Sequence, residues 1–523
     1  MDTAGCIDKI KIYTKDWYFN ASIVGFLKVL CDGDFEKLKK SNSGVIIDEN
    51  FVEFNIQSLD DFESKFYKQL FLNFFNKKQY LAYIDKSLKQ RKKDGTINLA
   101  SALKIINNFP FKDLYPLIYE EKLNCEESFS KFKEIVEGLT EEKIYEKIKE
   151  TDYFENYFLE KIVRWLIAGP SNVKNILVSI NQRDYLPKKK DKVCLSCQER
   201  KAEFDVTNAI SNVIGFNKDN SNWVWGYNTN KIKFCSICSL IYLCASTSLI
   251  YMYRNNAAYF YFVNHNASID SLINSYIQFK FELSNEEKKS SVYTIMVKET
   301  VKFLVSTQAE KKLKNISFIE IKENNFGGRS SKSYNVYSFN ISYNLASFIN
   351  SNMQSIPRGY YKINDSYFDI EEEILRSTVS QTLCYNDLDK YLRIFLQQQG
   401  FFNVSQLVNY VLQYILQGDK TMDLLKISKK GFINGRELRE KFKYEKKENQ
   451  IMGLAYQFLN DLKVADRDKF LDKYLRVSMS NGLESRFGQD ELNSKDAFLQ
   501  FGYSFIAGLI NDKKEKGDKD GDE

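Results

Sequence analysis

Apolar positions recur along this chain with two periods, and the period changes along its length. Near the start, Ile10-Lys11-Ile12-Tyr13 alternates as a half-buried strand does, and residues 17–30 continue with helical spacing. Residues 45–55 read as a hairpin turning near Asp48-Glu49-Asn50. From 59 to about 93 the pattern is helical, with Phe62, Phe66, Leu70, Phe74 and Phe75 on a common side. Helices are predicted through 128–148 and 154–166, and Pro170 and Pro187 then break the helical pattern. Aromatic or β-branched runs at 257–263, 316–321 and 334–341 predict strands. Between the last two, residues 322–332 hold Gly327 and Gly328 and read as the mobile, basic tip of a long hairpin. The last third differs in kind. Val404, Leu407, Val408, Val411, Leu412 and Ile415 repeat at helical intervals, as do Ile451, Leu454, Ala455, Phe458, Leu459 and Leu462. Phe498, Phe501, Phe505 and Leu509 make a third stripe. With no proline over 368–511, this part predicts a bundle of roughly four to six helices.

The strongest chemical signal is a pair of C-x-x-C motifs, Cys194/Cys197 and Cys235/Cys238. Each lets two thiolates face one ion from a single turn, and two pairs supply the four soft ligands of a closed tetrahedral zinc site. A closed site leaves no position for water or substrate, so this zinc is expected to be structural. The alternatives are buried thiols without metal, or a redox pair. Redox C-x-x-C ordinarily stands alone near a βαβ pattern, and here there are two. The insert between the pairs carries strand-like runs at 203–206 and 223–227, which predict a small folded lobe.

These readings predict an α+β fold. An α/β N-terminal domain (1–186) precedes a zinc-knuckle lobe (187–260) and a β-rich central part with the basic hairpin loop (261–367). A helical bundle (368–511) and a disordered, charged tail (512–523) complete the chain. At 523 residues the chain suffices for two to four domains. The formal charge of +6 permits nucleic-acid binding without requiring it. Residues 1–10 lack the apolar stretch of a signal peptide, and nothing marks export, so a reducing cytoplasm is the expected compartment. Residues 234–253 carry no formal charge, yet they are interrupted by Cys235, Cys238, Ser239, Cys244, Ser246, Thr247 and Ser248. They predict a buried helix leaving the second knuckle and not a membrane span.

Catalytic chemistry is sparse. The single histidine, His265, excludes two-histidine metal sites and reads as a structural hydrogen bonder. There is no P-loop, no G-x-S-x-G and no dinucleotide fingerprint. Glu371-Glu372-Glu373 reads as a solvated helix start. Basic clusters are the remaining chemistry. Lys77, Lys78 and residues 89–93 flank Tyr80 and Tyr83, and Lys188, Lys189, Lys190 and Lys192 precede the first knuckle. Lys311, Lys312 and Lys314 precede a strand, and Lys429, Lys430, Arg436 and Arg439 lie in a crowded helical stretch. Several such runs in a zinc-stapled chain without a catalytic set favour nucleic-acid binding over enzymatic activity.

The opening run from Trp17 through Tyr18, Phe19, Asn20, Ala21, Ser22, Ile23, Val24, Gly25, Phe26, Leu27, Lys28 and Val29 to Leu30 resembles that of a CRISPR family. With the two C-x-x-C pairs, the chain resembles the large subunit of type I-B Cascade in its CXXC–CXXC branch. These matched parts cover under a fifth of the chain. The resemblance implies a non-catalytic role in antiviral defence, within an assembly whose guide RNA reads the target by pairing. The large subunit contacts duplex DNA on the PAM side, helps open the strands and brings in a separate helicase–nuclease. Implied partners are the guide RNA with its backbone and 5′-end subunits, target double-stranded DNA, and a small subunit made from an internal start such as Met353 or Met422. The opening run itself is expected to serve folding or docking onto the guide's 5′ end, with Gly25 allowing close helix packing. No PAM-reading motif is matched. On chemistry alone the hairpin tip is the candidate, because Asn324, Asn325, Arg329 and Lys332 can bond base edges and Gly327-Gly328 lets backbone approach a groove. The rival readings are a carboxylate-dependent nuclease and a protein-only adaptor.

Overall fold

The computed structural model describes the chain except residues 1–8, 40–43, 108–114, 120, 164–170, 183, 207–232, 255–256, 285–289, 308–315, 325–331, 340, 419–421, 493 and 512–523. The fold is α+β, and the chain divides into two compact units, each built from two stretches. The first comprises residues 1–280 and 315–338, the second 281–314 and 339–523.

In the first unit, strand β1 (Lys9–Tyr13) leads into helix α1 (Trp17–Leu30). Asp16 fixes the helix start, because its side chain accepts the orphan backbone N–H groups of Tyr18 and Phe19. Strands β2 (Val45–Ile47) and β3 (Phe51–Asn55) form the expected hairpin and complete a sheet of order β1-β3-β2. Helices α2 (Phe62–Phe74), α3 (Lys77–Leu88), α4 (Leu99–Asn107), α5 (Glu126–Gly138), α6 (Glu141–Lys149), α7 (Phe154–Val163, π-wound) and α8 (Ser171–Asn181) come next. Phe62, Phe66, Leu70, Phe74 and Phe75 are all buried, as their shared helical side requires.

Strands β4 (Phe204–Asp205) and β5 (Lys233–Phe234) pair around the cysteines, and short helices α9 (Ser236–Leu243) and α10 (Ala245–Ser248) lead away from them. The uncharged stretch then turns back as β6 (Ile250–Arg254), so it is a buried helix–turn–strand where a single buried helix was expected. Among the described residues, no helix is long and apolar enough to cross a membrane. A four-stranded antiparallel sheet, β6-β7-β8-β9, adds β7 (Ala257–His265), β8 (Ile316–Asn324) and β9 (Lys332–Tyr337). Helix α11 (Ile269–Ser284) brings Phe279 against Phe318 of β8, ring centroids 5.2 Å apart.

The second unit opens with α12 (Val292–Thr307) and α13 (Tyr343–Ser351), then strands β10 (Gly359–Ile363) and β11 (Ser366–Asp369). Helices α14 (Ile370–Val379) and α15 (Tyr385–Leu396), strand β12 (Gly400–Phe402), and α16 (Val404–Ile415), α17 (Met422–Tyr444), α18 (Asn449–Lys463), α19 (Arg467–Ser480) and α20 (Lys495–Ile510) complete it. With the single turn Gln489–Leu492, eight α-helices lie between residues 370 and 510 among the described residues, more than the periodicity predicts. The reason is local. Gln381, Gln398, Lys446 and Ala465 take left-handed backbone conformations just past the ends of α14, α15, α17 and α18. Residues other than glycine or asparagine in that region give no sequence signal of a stop.

The packing of α17 on α20 is backbone to backbone. A Cβ on Gly435 would lie 1.9 Å from the Phe505 carbonyl oxygen, and one on Gly508 would lie 2.1 Å from that of Phe432. The acidic run at the start of α14 departs from expectation. Glu371 is only 3 % exposed and pairs with Lys298 at 2.5 Å, while Glu373 accepts from the hydroxyls of Tyr361 and Tyr391 at 2.7 and 2.9 Å. The run starts a helix, but two of its three carboxylates are internal anchors and not a solvated face.

Candidate metal centre and basic surfaces

The four cysteines converge. The Sγ atoms of Cys194, Cys197, Cys235 and Cys238 all lie within 4.8 Å of one another, and Cys197 Sγ is 3.9 Å from Cys235 Sγ. A tetrahedral tetrathiolate zinc places its sulfurs about 3.8 Å apart, from a Zn–S bond of about 2.3 Å, so this donor set fits a thiophilic tetrahedral ion. Among the described residues it is the only group of three or more His, Cys, Asp or Glu side chains so arranged.

Each pair is positioned by its own backbone. In the first, the Cys194 N–H donates to the Arg200 carbonyl at 2.8 Å, and the Gln198 N–H returns to the Cys194 carbonyl at 2.9 Å. In the second, Cys235 caps α9, its sulfur accepting from the Cys238 N–H at 3.3 Å. The helix N-terminus there favours negative sulfur. Hydrogen bonds among the sulfurs polarise the set. Cys197 is held far below the ordinary thiol value, first by Cys194 and then by Cys235 and Cys238. Cys235 and Cys238 are held above it, chiefly by Cys194 and then by Cys197. Arg200 stands beside the cluster. Burial opposes its charge, and the sulfurs of Cys235, Cys197 and Cys238 outweigh that and raise its pKa. Its guanidinium also donates to the Lys11 carbonyl at 2.9 Å, tying the cluster to β1.

The opening helix clasps the same centre. Lys15 Nζ donates to the Ser196 carbonyl and, at 3.1 Å, to the Ser196 hydroxyl between the first two cysteines. At Gly25 a Cβ would sit 1.9 Å from the Cys244 carbonyl oxygen, so α1 lies directly on the turn that leaves the second knuckle. Thr247 donates to the Gly25 carbonyl at 3.2 Å, Ser248 to that of Ala21 at 2.7 Å, and Lys28 Nζ to the Thr247 carbonyl at 2.7 Å. Buried Asn20 donates to the side-chain oxygens of Asn264 and Asn266, at 3.0 and 2.8 Å, on either side of His265. The threonine and serine that interrupt the apolar stretch at 247 and 248 are therefore contacts to α1. Phe19, Ile23, Val24 and Phe26 are core and Trp17 is half-buried. His265 is buried, with Nδ1 3.0 Å from the Ser275 hydroxyl, in keeping with a structural part.

The basic candidates fall in both units. Lys188, Lys189, Lys190 and Lys192 are exposed ahead of the first knuckle, and Lys188 lies 4.0 Å from Asp184. Lys77 is a tie and not a display, since its ammonium bonds the Glu137 and Leu139 carbonyls, while Tyr80 is core. In the second unit Lys429, Arg436 and Arg439 line one cleft. Lys430 is not among its lining residues and pairs instead with buried Glu491 at 3.2 Å. Of the hairpin-tip candidates, Asn324 ends β8 and Lys332 begins β9. Asn325, Gly327, Gly328 and Arg329 lie outside the described residues, as do 223–227, the three lysines 311, 312 and 314, and the tail.

Two features of the second unit escaped sequence reading. One is the cleft itself, whose walls come from helices far apart in sequence. The other is an exposed aromatic sheet face, where Tyr360 stands 5.0 Å from Phe401 and 5.6 Å from Tyr367. The alternation of Tyr360 with Tyr361 along β10 was its one signal. No protein-family model, curated protein or solved structure matches this chain.

Proposed function

We propose that this chain is the non-catalytic large subunit of a type I-B CRISPR Cascade assembly, with a structural zinc in its cysteine cluster. It binds target DNA on the PAM side, aids R-loop formation and recruits a separate helicase–nuclease. The observation that carries this reading is the union of its two identifying features. The opening run and the paired knuckles are far apart in sequence, yet α1 packs on α9 and α10 and Lys15 reaches the first knuckle.

Zinc, held by Cys194, Cys197, Cys235 and Cys238, supplies cross-linking and no reaction, because four thiolates fill a tetrahedral shell. Arg200 offsets part of the negative charge of such a centre. Lys15 fastens the start of the opening helix to the first knuckle, and Lys28 fastens its far end to the Thr247 carbonyl beyond the second. The exposed lysines 188–190 and 192 then stand on a braced lobe, where they can meet phosphates without an opposing carboxylate run. The rival reading, a carboxylate-dependent nuclease, differs from this one in predicting metal-dependent DNA cleavage by the pure chain.

The test is co-expression with the neighbouring genes and a guide RNA, then isolation of the assembly through a tag on another subunit. The chain is expected to co-purify with about one zinc per copy and to leave DNA uncut. Isolation without this chain, or metal-dependent cleavage by the pure chain, would overturn the reading.

A further inference from the structure

The four-stranded sheet of the first unit ends at β9, and among the described residues no strand pairs with its outer edge. A free edge presents a row of unpaired N–H and C=O groups, a template for another strand. Ser333, Tyr334, Asn335 and Val336 are all exposed, so the edge lies open along four consecutive residues. Native sheets blunt such edges with lysine or proline. In β9 the one charged residue, Lys332, comes first, and there is no proline.

The apolar face of the sheet runs off this edge. Tyr334 stands opposite Ile321 and Val336 opposite Ile319, and opposed residues share a face. Both isoleucines are fully buried, whereas Tyr334 and Val336 are 43 % and 50 % exposed. Trp17 covers part of that face, its ring centroid 5.7 Å from that of Tyr334. On the opposite face Asn335 is already satisfied, its amide donating to Glu320 at 3.0 Å. What the edge lacks is one more strand that carries apolar residues at alternate positions.

The sequence of β9 itself supplies that pattern, because Tyr334-Asn335-Val336 is symmetric in character about Asn335. Set antiparallel to a second copy with a two-fold axis at Asn335, Tyr334 falls opposite the copy's Val336, and Val336 opposite the copy's Tyr334. Aromatic with β-branched is a favourable cross-strand pair, and the apolar row then runs on from Ile321 and Tyr334 into the copy's Val336 and Ile319. A slip of one residue either way would set Asn335 against Tyr334 or Val336 and break the row. Asn335 meets its own copy at the axis and Lys332 falls opposite Ser338, so no like charges are opposed.

We propose that the free chain self-associates through β9, as a two-fold dimer in which two four-stranded sheets join into one. The contact is small beside the roughly 1,200–2,000 Å² of a stable interface, so association belongs to the micromolar range. The proposal does not rest on the Cascade reading, since it concerns the chain without partners.

The experiment is sedimentation velocity of the purified full-length chain from about 1 to 200 μM, which is expected to show the mass rising from monomer toward dimer. Asn335→Lys sets like charges across the axis and is expected to weaken association about tenfold or more, with the melting temperature of the dilute monomer unchanged. The register has its own readout. In Asn335→Cys the introduced thiols face each other, and a short bismaleimide is expected to join the two copies. In Ser333→Cys they lie four residues apart along the strands, about 14 Å, and cross-linking stays at the background of the parent, whose Cys125 and Cys384 are exposed. If Asn335→Lys misfolds, this pair of variants decides. A monomer at every concentration, association undiminished by Asn335→Lys, or equal cross-linking of the two cysteine variants would overturn the proposal. A chain that is monomeric alone, and whose recovery with co-expressed subunits falls in Asn335→Lys, would also overturn it and give the edge to another protein's strand.

Discussion

At Gly25 a single hydrogen atom decides whether α1 can reach the knuckle turn. Alanine is the better helix former by about 1 kcal/mol, but its Cβ would meet a backbone oxygen at 1.9 Å, and overpacking against rigid atoms costs about 1–3 kcal/mol or more. The clash wins, so Gly25→Ala is expected to destabilise by about 2 kcal/mol in denaturant unfolding. Gly453→Ala in α18, with open space around its Cβ, should stabilise by up to about 1 kcal/mol. Lys28 offers a test of sign. Burial, and then the nearby charge of Lys280, hold its pKa well below the ordinary lysine value. Between that lowered value and the unfolded one near 10.5, the unfolded chain binds more protons, so stability rises with pH across this window. Lys28→Met lacks this dependence. Its stability relative to the parent should be greatest near neutrality and fall as pH approaches 10, and a difference independent of pH would refute the account. Glu371 shows how a residue misleads in sequence. Its neighbours are acidic, and its partner Lys298 is seventy-three positions away.

Among elements, those with local causes were legible. The helical spacing of apolar residues over 17–30 gave α1, and the cysteine cluster follows from ligand spacing. The stops at Gln381, Gln398 and Lys446 were not legible, because each is a backbone conformation that these residues rarely adopt. The cleft was invisible for another reason, since Ser405 and Arg439 are brought together only by helix packing. The knuckle yields an element-scale test. Cys238→Ser is expected to lose bound zinc, measured by atomic emission, and to lower the melting temperature by roughly 5 °C or more, since a metal that binds only the folded state contributes its binding energy to folding. Full metal-free stability in this variant would make the cysteines a packed thiol cluster and no more.

For the whole molecule, two compact units divide the labour in this account. The first carries the braced cysteine centre and the exposed lysines, and the second carries the helical bundle with its basic cleft. Charge-led DNA contact has a signature of its own. Converting Lys189, Lys190 and Lys192 together to glutamine should weaken DNA binding by the assembly and flatten its logarithmic salt dependence by about 0.9 for each phosphate no longer neutralised. An unchanged slope would remove this lysine run from the DNA surface. The role proposed for this chain is tested by target-duplex binding of the guide-loaded assembly, with and without this chain, on duplexes that keep or lack the flanking motif. Tight binding and strand opening are expected only when both the chain and the motif are present, with the DNA left intact. Equal binding in the chain's absence, or indifference to the flanking motif, would contradict that role.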